Sequence, residues 1–116
     1  MVQLRRKKAI PDVAAYARVR TLCLSMPDTT ETDSWGHPNF RTGKKPFVTL
    51  ETHKGRPSIA IRLVADQVRD LCAEGIFFPT PYGKGRWASI YADKRLNWTL
   101  VESLISQSYE LAHSGA

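Results

Sequence analysis

The side chains best suited to hold a ligand are concentrated in residues 31–47, which read ETDSWGHPNFRTGKKPF. Trp35 offers a flat stacking surface, and His37 offers an imidazole two residues later. Three cations follow in the same stretch: Arg41, Lys44 and Lys45. Cations suit phosphate oxygens, whereas an aromatic ring beside an imidazole suits a small ligand. The stretch therefore predicts nucleic-acid contact, a ligand groove, or a turn that only leads the chain into a sheet.

Positive charge recurs on three predicted turns. The cations on these turns are Arg41, Lys44 and Lys45 on the first, Lys54 and Arg56 on the second, and Lys84 and Arg86 on the third. Hairpin tips that carry cations can reach DNA phosphates, with the basic stretch Arg5 to Lys8 as an auxiliary arm. The first two turns bound one strand, so we expect them about 25 Å apart at ~3.4 Å per residue. Cationic tips also keep proteins soluble, and that alternative stays open.

A second candidate site is a groove on the less covered face of the predicted sheet. The residues predicted to line it are Trp35, His37, Tyr82 and Trp87. Trp87 has the same strand parity as Ser89 and Tyr91, so these three side chains point the same way. Aromatic side chains on a sheet face stack on bases in some proteins and form a wall of the core in others. The groove predicts a small-molecule or protein interaction module as the alternative to DNA binding.

Sequence motifs for catalysis are absent from the chain. It has no GxSxG, no HExxH, no Rossmann fingerprint and no Gly-rich phosphate loop that opens a helix. Its histidines, His37, His53 and His113, are not spaced with Cys or carboxylates in the manner of metal ligands. We therefore expect a non-enzymatic protein with no catalytic residues, no metal site and no cofactor.

Size and charge limit the classes of function. The 116 residues suit a single domain, and 17 Lys and Arg against 11 Asp and Glu give a formal charge of +6. Such a surface attracts phosphates and acidic partners. No apolar run approaches the ~20 residues that span a bilayer, and the basic N-terminal stretch lacks the apolar segment of a secretory signal. We expect a cytoplasmic monomer that makes no membrane contact, with DNA as its candidate partner.

Hydrophobic periodicity predicts a basic arm at residues 1–10 and one folded domain at residues 11–116. Helices are predicted from Pro11 to about Ser25, from Val64 to Gly75, and after the N-cap residue Asn97. We expect Cys23 and Cys72, which fall in two of these helices, to be free thiols.

Strands alternate with these helices. They are predicted at Asp33–Phe40, Lys45–His53, Ser58–Leu63, Ile76–Phe78 and Trp87–Ala92. Strict alternation along the second of them puts Phe47, Thr49, Glu51 and His53 on one face. Short connections favour antiparallel pairing, and the helices can cover one face. The pattern predicts an α+β two-layer sandwich, an antiparallel sheet with N-terminal and C-terminal helices on one face.

Several blocks of the chain, in this order, resemble the MmcQ/YjbR-like family over about residues 12–113. The blocks are Leu24-Ser25-Met26-Pro27, Trp35-Gly36-His37-Pro38 with Phe40-Arg41, Gly43 and Lys44-Lys45-Pro46-Phe47, Trp87-Ala88-Ser89-Ile90-Tyr91, and Ser108-Tyr109-Glu110-Leu111. The resemblance implies a fold similar to that of bacterial frataxin (CyaY-like) and a DNA-binding role through wing-like hairpins. It does not extend to iron binding, because the first helix carries Asp12, Arg18 and Arg20 without an acidic ridge.

Overall fold

The computed structural model describes residues 13–114, so the predicted basic arm, Arg5 to Lys8 included, lies outside the described residues. Within that range the elements in chain order are α1 (Ala14–Leu24), β1 (Thr29–Ser34), β2 (His37–Thr42), β3 (Lys45–His53), β4 (Arg56–Arg62), α2 (Ala65–Ala73), β5 (Phe78–Pro79), β6 (Trp87–Tyr91) and α3 (Trp98–His113). The strands form one six-stranded sheet in the order β1-β2-β3-β4-β6-β5. Every neighbouring pair is antiparallel.

The core lies between one face of this sheet and the helices. Leu50 of β3, Ile59 of β4 and Ile90 of β6 lie opposite one another in the strand register and are almost fully buried. Ile105 of α3 and Val19 of α1 belong to the same buried cluster. The predicted α+β two-layer sandwich is therefore confirmed. Asn97 also caps α3 as predicted, because its side chain accepts a hydrogen bond from the Leu100 amide.

The prediction of one continuous strand at Asp33–Phe40 is wrong. The chain instead forms a hairpin, β1 and β2, joined by the two-residue turn Trp35-Gly36. Both turn residues have left-handed backbone angles, with φ of 58° and 83°, as a tight hairpin turn of the primed type requires. Pro38 is tolerated because the β2–β3 pairing begins only at Asn39, so Pro38 pairs with β1 alone.

The predicted orientation of Phe47 is also wrong, and a β-bulge is the reason. Val48 pairs with Phe40 and Pro46 pairs with Arg41, which leaves Phe47 as an extra residue in β3. The bulge turns Phe47 toward the helices, where it is fully buried and meets the Tyr109 ring edge-on at 5.5 Å. Thr49 and Glu51, beyond the bulge, stay on the opposite face.

Ser108 of α3 compensates for the backbone group that the bulge leaves unpaired. Its hydroxyl donates to the Phe47 carbonyl at 2.8 Å, and the Ser108 side chain is fully buried. This bond joins the longest helix to the sheet at the point where the strand ladder is interrupted. An unsatisfied buried carbonyl at this place would destabilise the fold.

We predict that Ser108→Ala lowers the free energy of unfolding by about 1–2 kcal/mol, because the Phe47 carbonyl loses its donor. Urea denaturation followed by circular dichroism measures the loss. Ser106→Ala, at an exposed position of the same helix, is the matched control and corrects for the helix propensity of Ala. Equal stability of the two variants would contradict a structural role for this bond.

Candidate functional site

The sheet face that the helices leave open is only partly covered, by the loop between β5 and β6. Across this face Thr49, Ala60 and Ser89 lie side by side in neighbouring strands. Ala60 and Ser89 are nonetheless 0% and 1% exposed. The loop shields them, and the hydroxyls of Thr80 and Ser89 lie 2.6 Å apart in a hydrogen bond that holds the loop down.

A cavity of about 530 Å³ lies on this face between the β5–β6 loop and the β1–β2 turn. We call it the open-face groove. The residues that define it here are Trp35, His37, Thr49, Glu51, Tyr82 and Trp87. The four residues predicted to line a groove therefore surround one concave surface, although they come from two separate segments of the chain, 35–37 and 82–87.

The walls of the groove carry two almost fully exposed aromatic side chains. Trp35 is 97% exposed, and Tyr82 is fully exposed. Their residues have φ of 58° and 65°, an uncommon backbone conformation for side chains of this size. Trp35 reaches the groove from the β1–β2 side of β3, and Tyr82 reaches it from the β5–β6 side. The two rings therefore flank the strand that forms the floor.

Gly83 fixes the position of the loop that carries Tyr82. A Cβ atom at this residue would lie 2.8 Å from the Trp87 Cβ and 3.0 Å from the Thr80 carbonyl oxygen. The Gly83 amide also donates to that carbonyl at 3.0 Å. The loop can approach the sheet this closely only because the residue after Tyr82 has no side chain.

The floor of the groove carries the carboxylate of Glu51, which has no hydrogen-bond partner among the described residues. Glu51 makes no side-chain hydrogen bond or ion pair with any residue of the described chain, and it is only partly exposed. Burial raises its pKa above the ordinary 4.5, while the neighbouring His37 lowers it. His37 has its own unsatisfied atom, because its Nδ1 is buried with no hydrogen-bond partner among the described residues. Leaving such a group unpaired costs about 1–3 kcal/mol.

An aromatic cluster closes one end of the open face. The Phe78 ring lies 4.5 Å from the His53 ring and 4.8 Å from the Tyr91 ring. The Arg56 guanidinium lies 3.7 Å from the Tyr91 ring and binds both oxygens of Asp93 at 2.9 Å. Hydrogen bonding from Arg56 lowers the pKa of Asp93. Arg56 is therefore held in place by contacts within the protein.

The seven predicted nucleic-acid residues do not form one patch. The hairpin register puts Lys44 and Lys45 at the start of β3, and Lys54 and Arg56 at its far end. The Leu63 amide donates to the Arg86 carbonyl, which places Arg86 at the end where β3 starts. The Arg86 amide donates to the Gly83 carbonyl, so Lys84 lies in the tight turn beside Arg86. These four cations thus share one end of the sheet. The pair on β3 and the pair before β6 lie about two strand spacings (~10 Å) apart, because β4 lies between them.

Arg41 is turned onto the sheet. Its guanidinium donates to Asn39 Oδ1 at 2.9 Å, to Thr32 Oγ1 at 3.2 Å and to the Lys44 carbonyl at 3.1 Å. These bonds hold the side chain against the outer strands. It adds positive charge to the open face, and its donors are largely engaged by the protein.

Sequence reasoning missed the polar floor of the groove. Glu51 and Thr49 had been placed on one strand face, yet nothing in the sequence showed that the two aromatic turns would flank that face. The only signal in the sequence was the residue type, because Glu is uncommon in the middle of a strand, and this does not reveal whether its carboxylate has a partner.

Other features of the described chain point to no further chemistry. Residues 13–114 contain no group of three or more His, Cys, Asp or Glu side chains that could hold a metal ion. Cys23 and Cys72 are free thiols, as predicted, and burial raises the pKa of Cys23 to about 12. No helix in the described range is both long and apolar enough to cross a bilayer.

An open antiparallel sheet with helices on one face and a groove on the other defines a two-layer α+β protein. The family model described as YjbR matches residues 24–111, and the chain belongs to this family. The fold is similar to the crystal structure of a protein from Pseudomonas syringae, solved as a structural-genomics target. That match has a TM-score of 0.72 at 17% identity and covers 83% of this chain and 97% of the other. No curated protein matches the sequence.

We predict that Glu51→Gln stabilises the protein at neutral pH. The folded state raises the pKa of Glu51, so it binds the proton more tightly than the unfolded state does. Protonated Glu51 therefore favours the folded wild-type protein. This stabilisation is complete below the pKa of the unfolded state and is lost as pH rises through the higher pKa of the folded state. The stability gap between variant and wild type should therefore widen as pH rises from 4 through this range, which lies above 4.5.

Thermal unfolding of both proteins between pH 4 and pH 7 measures this gap. Glu74→Gln, an exposed carboxylate just after α2, is the control for removing a negative charge from a basic protein. A gap for Glu51→Gln that stays constant with pH would contradict the desolvation of this carboxylate.

Proposed function

We propose that this protein is a non-enzymatic binding protein whose open-face groove takes a small ligand with a planar ring. The observation that carries the proposal is the pair of exposed rings, Trp35 and Tyr82, on two sides of one cavity. Its volume of about 530 Å³ lies within the range of small-molecule sites.

The exposure of these rings has an energetic argument behind it. An aromatic side chain buries about 200 Å² when it is packed, worth roughly 5 kcal/mol at 25 cal/mol per Å². Trp35 and Tyr82 forgo nearly all of this burial, and the left-handed turns that carry them add backbone strain. A ring stacked between them would recover much of that apolar burial. Two exposed aromatic side chains on separate loops would not be expected to line the same cavity by chance.

The proposal stops at binding because the groove offers recognition groups without a clear nucleophile. Among the described residues that line it, Thr49, Thr52 and Thr80 supply hydroxyls, and Glu51 supplies a carboxylate. No Cys, Lys or Ser is among these lining residues. We therefore assign no catalytic step and no cofactor.

We predict that Trp35→Ala and Tyr82→Ala each weaken binding of a planar ligand by about 5-fold to 150-fold, the equivalent of one lost stacking contact at 1–3 kcal/mol. The probes are guanosine, adenosine, riboflavin and nicotinamide, titrated by calorimetry and by NMR chemical-shift mapping. Shifts should concentrate on the groove residues.

Ile76→Ala is the matched control, because Ile76 is a half-exposed apolar side chain outside the groove. Absence of binding by all four probes, or binding that neither aromatic substitution weakens, would overturn the proposed function.

Nucleic-acid binding is the second candidate, and one observation favours it. Lys44, Lys45, Lys84 and Arg86 lie at the same end of the sheet, where they can contact neighbouring phosphates. Lys54 and Arg56 lie at the opposite end, and Arg56 is already paired with Asp93. The candidate interface is therefore narrower than the seven residues that the sequence suggested.

If duplex DNA binds through this end, affinity should fall steeply with salt and depend little on sequence. The double variant Lys44→Ala and Lys84→Ala should then reduce the slope of log K against log salt by about 2. Fluorescence anisotropy with a duplex oligonucleotide at low and moderate salt measures this slope. Lys94→Ala with Arg95→Ala removes the same charge elsewhere and should leave the slope nearly unchanged. No binding at low salt would eliminate the candidate.

A further inference from the structure

The unpartnered carboxylate of Glu51 indicates what the groove recognises. It lies on the central strand of the floor, with the exposed rings of Trp35 and Tyr82 to either side. His37 lies close enough to lower the pKa of Glu51, but no side chain of the described residues makes a hydrogen bond to its carboxylate, so both oxygens can accept from a ligand. A ligand that stacks on the rings brings its edge toward the floor.

We propose that the open-face groove binds a guanine-type base, whose ring stacks against Trp35 and Tyr82 while its two adjacent N–H donors bond to the Glu51 carboxylate. This inference rests on the proposed function and names its ligand class. An ionised carboxylate accepts and cannot donate, and its two parallel oxygens match two parallel N–H groups. An adenine edge instead presents a ring acceptor beside its amino group, which would face the carboxylate unfavourably.

A guanidinium group carries the same pair of N–H donors. The positive charge around the groove argues against a guanidinium ligand. Arg62 pairs with Trp87 in the strand register and so lies on the same face. Arg41 lies on this face through its bonds to Thr32 and Asn39. Glu51 is the one carboxylate among the described lining residues, in a chain of formal charge +6. A neutral base avoids the repulsion that a cationic ligand would meet.

The test compares guanosine, inosine and adenosine on wild type and on Glu51→Gln by calorimetry. Wild type should bind guanosine at least about tenfold more tightly than adenosine, because a bidentate pair discriminates by that order. Inosine, which lacks the amino group, should fall between them. In Glu51→Gln the preference for guanosine should collapse, because guanosine loses its bidentate pair with the carboxylate, while adenosine should bind more tightly, because the amide can both donate to the adenine ring nitrogen and accept from its amino group.

Two further variants and one further ligand separate stacking on the rings from recognition of the base edge by Glu51. Trp35→Ala should weaken both nucleosides by a similar factor and keep the preference for guanosine. Glu74→Gln should keep both the affinity and the preference. Tighter binding of methylguanidine than of guanosine, lost in Glu51→Gln, would overturn the guanine assignment in favour of a guanidinium ligand.

Equal binding of guanosine and adenosine that still depends on Trp35 and Tyr82 would overturn this inference and leave the proposed function standing. Absence of binding by any planar probe would remove both.

Discussion

Helices cover the sheet on one face only, and most other features of the structure follow from this constraint. The covered face takes the branched apolar residues of the central strands, such as Leu50, Ile59 and Ile61. The other face must then be built from side chains that tolerate partial hydration. It carries small and polar residues in the centre, among them Ala60 and Ser89, and a loop rather than a helix lies over them. A loop covers less area than a helix, and the groove is the part that stays uncovered.

The parts of the fold that could be read from the sequence are those where local pattern and tertiary packing agree. β3 was predicted with its observed limits because its residues alternate and turns bound it on both sides. The first hairpin was missed because β1 reads TTETDS and has no apolar alternation to reveal it. Phe47 was assigned to the wrong face because one bulge reverses the parity of every residue before it. A bulge depends on its partner strand, which no local pattern encodes.

The candidate site shows the same division. Side-chain chemistry identified Trp35, His37, Tyr82 and Trp87 as a set, and the structure places all four around one cavity. Their convergence depends on the strand order, which puts β6 next to β4 and brings a distant loop across the floor. The contribution of Glu51 could not be predicted, because its importance lies in having no partner, and partners are a property of the folded chain. The separation of the predicted cations into two groups, in contrast, could be predicted from the sequence, because the turns that bound one strand lie at its opposite ends.

The carboxylate on the floor of the groove and the two exposed rings, Glu51, Trp35 and Tyr82, each lower the stability of the folded protein. Glu51 lines the same cavity as the β5–β6 loop, and its partial burial there makes the ionised carboxylate less favourable. His37 offsets part of that cost because it lowers the pKa of Glu51, yet its own Nδ1 has no hydrogen-bond partner among the described residues. Stability alone would favour a neutral residue at position 51 and smaller side chains at positions 35 and 82. A site in which three residues each reduce stability, and all face one cavity, is more economically explained by ligand recognition than by folding.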